Sequence, residues 1–342
     1  MKSRIGRPAV GLVSLVLAAG CSKPAPPPPP APQPPSWSDP SPHTNGFVVS
    51  NGVRLNYLDW GGSGPPLILI HGYGDNPHVF DDMAPALSDR FRVVAYARRG
   101  HGRSEAKGPY DTATLVEDLR GVMDSLRIPK AHLAGWSMGG NEITGMAGSH
   151  PDRVDRIVYL DGGYDWSDPT VVAAFGQTPA DLTPPPSALV SIEAYRASHV
   201  KAWFTKVSDP SRIEAYIRDL VVIQPDGSVR SAMTDSAQAG LFASLTSQAR
   251  DYRKVKAPAL AIYATTFFDT KHPDSTQAIK NLAWEAKYLI PFRKASVARI
   301  KRELAGVEIV DVPGTHSDFI FVSKAAVVAA IRRFLGAPPA GG

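Results

Sequence analysis

The sequence predicts an α/β protein: a mostly parallel central sheet, helices on both faces, and a helical lid inserted over one edge. Three observations predict it. Short, continuously apolar runs recur along the chain. Longer stretches of helical period separate them. One run ends in Gly135-Trp136-Ser137-Met138-Gly139-Gly140, a serine set between glycines at a strand-to-helix turn.

The N-terminus precedes this pattern and obeys different rules. Lys2, Arg4 and Arg7 come first, then the apolar run Val10 to Leu17, then small residues, which is the layout of a secretion signal in residues 1–20. The run is too short for a stable bilayer span. Leu17-Ala18-Ala19-Gly20-Cys21 resembles the bacterial lipoprotein processing site, with its leucine one place further from the cysteine than is usual. The resemblance implies that Cys21 carries a lipid. As the single cysteine of the chain it has no internal disulfide partner. The implied location is the bacterial cell envelope, on the periplasmic face or at the outer membrane, and Ser22 is compatible with the latter.

Residues 21–45 form a proline-rich linker, including an unbroken run from Pro26 to Pro30. Proline lacks the amide donor and fixes φ, so this stretch enters neither helix nor sheet and serves as an extended spacer.

Charge excludes one class of partner. The formal net charge is +5, but without the three basic residues of the signal the balance is 34 basic against 32 acidic. No compact run of Lys and Arg remains to track phosphates, so nucleic-acid binding is not expected. No His/Cys/Asp pattern has metal-ligand spacing, and neither metal nor cofactor is implied.

The folded domain begins near Gly46. Residues 46–50 and 54–60 alternate apolar and polar around Asn51-Gly52, a hairpin signal. Apolar runs at 67–70, 92–97, 131–134, 156–160, 259–264 and 307–312 predict strands buried on both faces. Helical patterns at 114–126, 141–149 and 324–335 lie between or after them. Residues 165–250 contain no such buried run, only helical patterns broken by Pro184-Pro185-Pro186 and Asp209-Pro210. This insertion is the expected lid, and residues 46–164 and 251–342 the core.

The turn at Ser137 carries the chemistry. A tight strand-to-helix turn exposes the serine Oγ at the C-terminal edge of the sheet, and the helix after it turns its positive end toward it. A serine nucleophile needs a base, and the base an orienting acid. Of nine histidines, His316 sits on the loop after the last strand, before the final helix, where the base belongs. His71, in the turn after an early strand, and His101, in Arg99-Gly100-His101-Gly102, are assigned structural roles. An oxyanion hole requires two backbone N–H groups. Met138 supplies one and Tyr73, in His71-Gly72-Tyr73-Gly74, the other. The side chains of Tyr73 and Trp136 are candidates for the substrate wall.

Together, residues 67–76, 98–104, the turn around Ser137, Pro151-Asp152-Arg153-Val154 and Ile157 to Asp161 resemble the α/β-hydrolase superfamily, across about residues 46–335 outside the lid. The nearest branch contains esterases, lipases and carbon–carbon-bond hydrolases. Serine at 137 differs from the aspartate of haloalkane dehalogenases and epoxide hydrolases, and suits attack on acyl carbonyls. The resemblance places the acid after the 259–264 strand, as Gly-x-x-Asp. This chain reads Ala264-Thr265-Thr266-Phe267-Phe268-Asp269, without the glycine and with the aspartate two places late. Asp269 is the first candidate, Asp161 at the end of the preceding strand the alternative, and Asp274 a third.

The expected activity is hydrolysis of a small-molecule carboxylic ester through an acyl-enzyme. Carbon–carbon-bond or amide hydrolysis by the same residues is one alternative. A non-catalytic, membrane-anchored binding protein on the same scaffold is another. The sequence leaves the substrate and the oligomeric state open.

Overall fold

A computed structural model describes residues 37–179, 183–247 and 249–336; the expected signal at 1–20, Cys21 and most of the expected linker lie outside the described residues. The chain divides between Asp39 and Pro40, and the unit from Pro40 onward carries the strands and helices.

Ten strands form among the described residues. β1 (Thr44–Ser50) and β2 (Val53–Gly61) pair antiparallel around Asn51-Gly52, whose φ values of 50° and 71° are those of a type I′ turn. β3 (Pro66–Ile70), β4 (Arg92–Tyr96), β5 (Ala131–Trp136) and β6 (Val154–Leu160) come next. β7 (Val221–Ile223) and β8 (Val229–Ser231) belong to the insertion, and β9 (Ala259–Ala264) and β10 (Glu308–Val312) complete the set. The main sheet runs β1-β2-β4-β3-β5-β6-β9-β10, antiparallel at the two pairings of β2 and parallel elsewhere.

Alternation along the central strands feeds two cores. Ile68, Ile70, Val94, Tyr96 and Leu133 face one, and Leu67, Leu69, Val93, Ala95 and Ala134 the other. The first core is closed by α1 (Thr112–Ser125), α2 (Gly139–Ser149) and the far end of α8 (Ile290–Glu303), through residues such as Leu119, Ile143 and Ile300. The second is closed by α10 (Lys324–Leu335), through Val327, Ile331 and Phe334, with α9 (Phe319–Val322) before it. Asp111 caps α1 by accepting from Thr114 N–H, which satisfies one of the amides that a helix start leaves unpaired.

Between β6 and β9 lie α3 (Pro169–Phe175), α4 (Ile192–Trp203), α5 (Glu214–Leu220) and α6 (Asp235–Ser247). The insertion is not wholly helical: β7 and β8 pair antiparallel across a turn at Asp226-Gly227. Its helices draw on both cores, α3 and α6 on the first, α4 and α5 on the second, so it straddles the strand ends. His78, in the turn Pro77–Phe80, lies between Asp81, at 2.9 Å, and Asp219 of α5, at 3.4 Å. Burial opposes its charge, but the two carboxylates push its pKa up to about 9, so an imidazolium ties the insertion to the core. α7 (Ser275–Trp284) runs into α8 through a π-helical turn, Glu285–Leu289. Among the described residues no helix is long and apolar enough to cross a membrane.

Candidate active site

The turn from β5 into α2 holds Ser137 at φ 51°, a left-handed conformation that a non-glycine residue adopts only where its surroundings enforce it. Glycine is required on both sides. A Cβ on Gly135 would stand 2.4 Å from Gly139 O, and one on Gly139 would stand 2.4 Å from Ile70 O. Ser137 N–H donates to Leu160 O, and Gly140 N–H returns to Ser137 O, so the turn is fixed from both directions.

The loop after β10 brings His316 to this turn. Thr315 N–H donates to Asp318 Oδ1, Asp318 N–H returns to Thr315 Oγ1, and Trp136 Nε1–H donates to His316 O. His316 Nε2 lies 2.9 Å from Ser137 Oγ. On the other side of the ring, Nδ1–H donates to Asp161 Oδ2 at 2.5 Å. Asp161 terminates β6 at φ 44° and is buried, and its second oxygen accepts from Tyr164 Oη–H and Ala264 N–H. With that oxygen occupied, Oδ2 is committed to the imidazole. A carboxylate there holds the proton on Nδ1 and leaves the Nε2 lone pair facing the serine.

The acid on His316 is therefore Asp161, which corrects the expectation of Asp269. The Asp269 carboxylate turns away, accepting from Thr205 Oγ1–H at 2.8 Å and Lys271 N–H, with Lys206 Nζ at 3.3 Å. Burial opposes its charge, yet these donors outweigh it and hold the carboxyl below its ordinary range. Asp274 caps α7 by accepting from Thr276 and Gln277 N–H. The loop after β9 has a different task in this chain. Glu285, at the π-helical turn, accepts from Phe267 N–H and Phe268 N–H at 2.6 and 2.7 Å. So held, Phe267 stacks on the His316 ring, with centroids 4.5 Å apart and planes 11° apart.

The candidate oxyanion donors lie on the two segments the sequence indicated. Among the described residues, neither Met138 N–H nor Tyr73 N–H is taken by an internal acceptor. The loop bearing Tyr73 is braced from beneath. Arg98 donates to His71 O and Gly72 O, His71 Nε2 accepts from Arg98 N–H, and His101 Nε2 accepts from Gly74 N–H. Burial, with the Arg98 charge beside them, lowers the pKa of both histidines, so they stay neutral and structural. Arg250, which the sequence did not single out, braces the turn at Ser137: it donates to Asn141 Oδ1, Gly162 O and Ser137 O.

Ser137 and His316 open onto a cavity of about 400 Å³ between the strand ends and the insertion. Tyr73 and Trp136 line it, as expected, and so do Trp166, Phe175, Trp203, Phe204 and Phe267. Its other polar groups are Asp75, Tyr216, His199 and Ser317.

The chain is similar to known proteins in part of its sequence and in its fold. A family model described as α/β-hydrolase fold matches residues 65–185, the stretch that contains Tyr73, Ser137 and Asp161. Among solved structures, E-2-(acetamidomethylene)succinate hydrolase superposes with a TM-score of 0.67 over 86% of this chain and 100% of its own, at 24% identity. This chain has the α/β-hydrolase fold. A meta-cleavage product hydrolase of Pseudomonas fluorescens shares the hydrolase fold at TM-score 0.59, covering 85% of this chain and 97% of its own at 22% identity. In sequence, the chain is 34% identical over 123 residues to a putative carbamate hydrolase of Caulobacter segnis, spanning 35% of this chain and 45% of the relative. It is 30% identical over 151 residues to a pimeloyl-[acyl-carrier protein] methyl ester esterase of Aeromonas hydrophila, spanning 41% and 58%. The matches thus cover about half the length of these curated relatives.

Proposed function

We propose that this chain, on its α/β-hydrolase fold, is a serine hydrolase that cleaves carboxylic esters by acyl transfer. The observation that carries the reading is the unbroken line from Ser137 Oγ through His316 to Asp161, at 2.9 and 2.5 Å. His316 Nε2 takes the serine proton as Oγ attacks the carbonyl carbon, and Asp161 stabilises the imidazolium that results. Met138 and Tyr73 N–H groups receive the oxyanion. His316 then protonates the departing alcohol, and water, activated by the same nitrogen, attacks the acyl-enzyme and restores Ser137.

An intact Ser–His–Asp line argues against the reading of a non-catalytic binding protein, since such a scaffold has no need to keep it. The methyl ester esterase among the relatives is in line with ester cleavage, while the carbamate hydrolase keeps cleavage of a C–N bond as the second reading. Ser137→Ala tests the reading with 4-nitrophenyl acetate and butyrate. Turnover disappears while the circular dichroism spectrum and Tm stay at wild-type values; retained turnover overturns the assignment.

The envelope location belongs to the same proposal. It rests on the signal-like residues 1–20 and on Cys21. Cys21→Ser moves the protein from the membrane fraction to the soluble fraction if a lipid on that thiol is the anchor; an unchanged distribution overturns it.

A further inference from the structure

The cavity walls are aromatic, yet one charged group is built into them. Asp75 is the one carboxylate among the described lining residues, and no Lys or Arg joins it. It stands close to the reacting serine. A Cβ placed on Gly72 would lie 2.4 Å from Asp75 Oδ2 and 3.3 Å from Ser137 Cβ, so barely one side chain's width separates carboxylate from nucleophile. Tyr216 Oη–H, from α5, donates to Asp75 Oδ1 at 2.7 Å, and His199 Nε2, from α4, lies 3.4 Å from the same phenol oxygen.

Among the described residues no cation pairs directly with this carboxylate. Arg98 is engaged by Glu142 at 2.5 Å, and among the described residues Asp75 makes no ion pair. Burial lowers the His199 pKa to about 4, so that ring is uncharged at neutral pH. Burial raises the Asp75 pKa to about 6, against the opposing pull of Tyr216, His316 and Arg98, so Asp75 is ionised at pH 7 and above. The substrate cavity then carries one negative charge among aromatic faces. A carboxylate with no cationic partner in apolar surroundings is costly. Aromatic faces attract cations through the ring quadrupole.

We infer that the pocket selects esters bearing an ammonium group a few bonds from the scissile carbonyl, with Asp75 as counter-charge and faces such as Trp136, Trp166 and Trp203 as the cage. This deepens the ester-hydrolase reading and rests on it. An anionic substrate meets repulsion from Asp75 and finds no basic side chain in the lining.

Isosteric pairs that differ only in charge supply the test. On the alcohol side the pair is acetylcholine and 3,3-dimethylbutyl acetate. On the acyl side it is the phenyl ester of betaine and phenyl 3,3-dimethylbutanoate, each kcat/KM there being divided by that ester's own hydroxide-catalysed rate constant, because the ammonium itself activates the carbonyl. For at least one pair, the wild-type kcat/KM at pH 8 favours the cationic ester by about tenfold or more, the scale of a desolvated cation–π contact aided by a carboxylate. Asp75→Asn, which keeps an acceptor for Tyr216, collapses that ratio toward one. A wild-type ratio of one or less for both pairs overturns the inference, as does a ratio that Asp75→Asn leaves unchanged. Binding of choline against 3,3-dimethylbutan-1-ol, read by quenching of the pocket tryptophans, needs neither turnover nor a variant. Choline binds wild type about tenfold tighter if the inference holds; equal or weaker binding overturns it. Should no ester be hydrolysed, the ester-hydrolase reading fails, and the choline titration still decides the charge preference.

Discussion

Replacing Asp161 by asparagine removes one charge and almost no volume, and the hydrogen bonds around it dictate the consequence. Two donors, Tyr164 Oη–H and Ala264 N–H, converge on Asp161 Oδ1 at 2.8 and 3.0 Å. An asparagine must present its carbonyl oxygen to them, because its NH₂ group cannot accept. The NH₂ is thereby turned to His316 Nδ1, where it donates. Nδ1 must then accept, the ring proton moves to Nε2, and Nε2–H points at Ser137 Oγ instead of receiving its proton. Two effects combine, the wrong tautomer in the ground state and the loss of the charge that stabilises the imidazolium. The known scale for such a change in a Ser–His–Asp triad is a fall of about 10⁴ in kcat, or about 5 kcal/mol of transition-state stabilisation. Binding contacts are untouched, so KM moves far less than kcat. Steady-state hydrolysis of 4-nitrophenyl acetate across pH 6 to 9 measures this directly. A kcat within tenfold of wild type would refute the assignment of Asp161 and the tautomer argument with it.

The same geometry sets three further outcomes. Asp269→Asn leaves kcat/KM within about threefold of wild type, because that carboxylate serves Thr205, Lys206 and Lys271 and does not touch His316. Its depressed pKa means that the ionised group stabilises the fold above the ordinary carboxylate range and loses that contribution as pH falls, so the variant melts lower than wild type at pH 7, by a margin that shrinks as pH falls below 3.8. Asp75→Asn has the opposite sign. Burial raises the Asp75 pKa from 3.8 to about 6, so ionisation penalises the native state increasingly between those values and fully above them. Urea unfolding should find the variant more stable at pH 8 by up to about 3 kcal/mol, less whatever water in the pocket screens, and no more stable near pH 3.

How much of this was legible in the sequence depends on the reach of the contacts involved. The strands were legible because each is a short apolar run whose alternate residues feed separate cores, a pattern visible within about six residues. Asn51-Gly52 declared its turn by residue type alone. The ribbon of β7 and β8 was not legible, since each strand has three residues and only the first of them is buried. That Ser137 and His316 would meet was readable from their places at strand ends. The acid was not, because Asp161 and Asp269 both come after parallel strands and the choice is made by what the loops do. Two signals favoured Asp161 all the same. The glycine expected ahead of Asp269 was missing. Asp161 is followed by Gly162, where a Cβ would meet Gly135 O at 2.7 Å, so the strand must stop there in a tight turn facing the nucleophile. The wall formed by Asp75, Tyr216 and His199 left no local signature, since Asp75 and Tyr216 are 141 residues apart and meet only when the insertion folds over the core.

If Ser137 is the residue that becomes acylated, active-site labelling finds it. A fluorophosphonate reacts only with a serine whose proton can be taken as the phosphorus is attacked. Incubation of the wild-type protein followed by peptide mass mapping is predicted to give one adduct, on the peptide containing Ser137, with hydrolytic activity lost in proportion. Ser137→Ala is predicted to give none. An unlabelled Ser137, or full labelling at another residue in a protein that loses its activity, would contradict the acyl-enzyme mechanism.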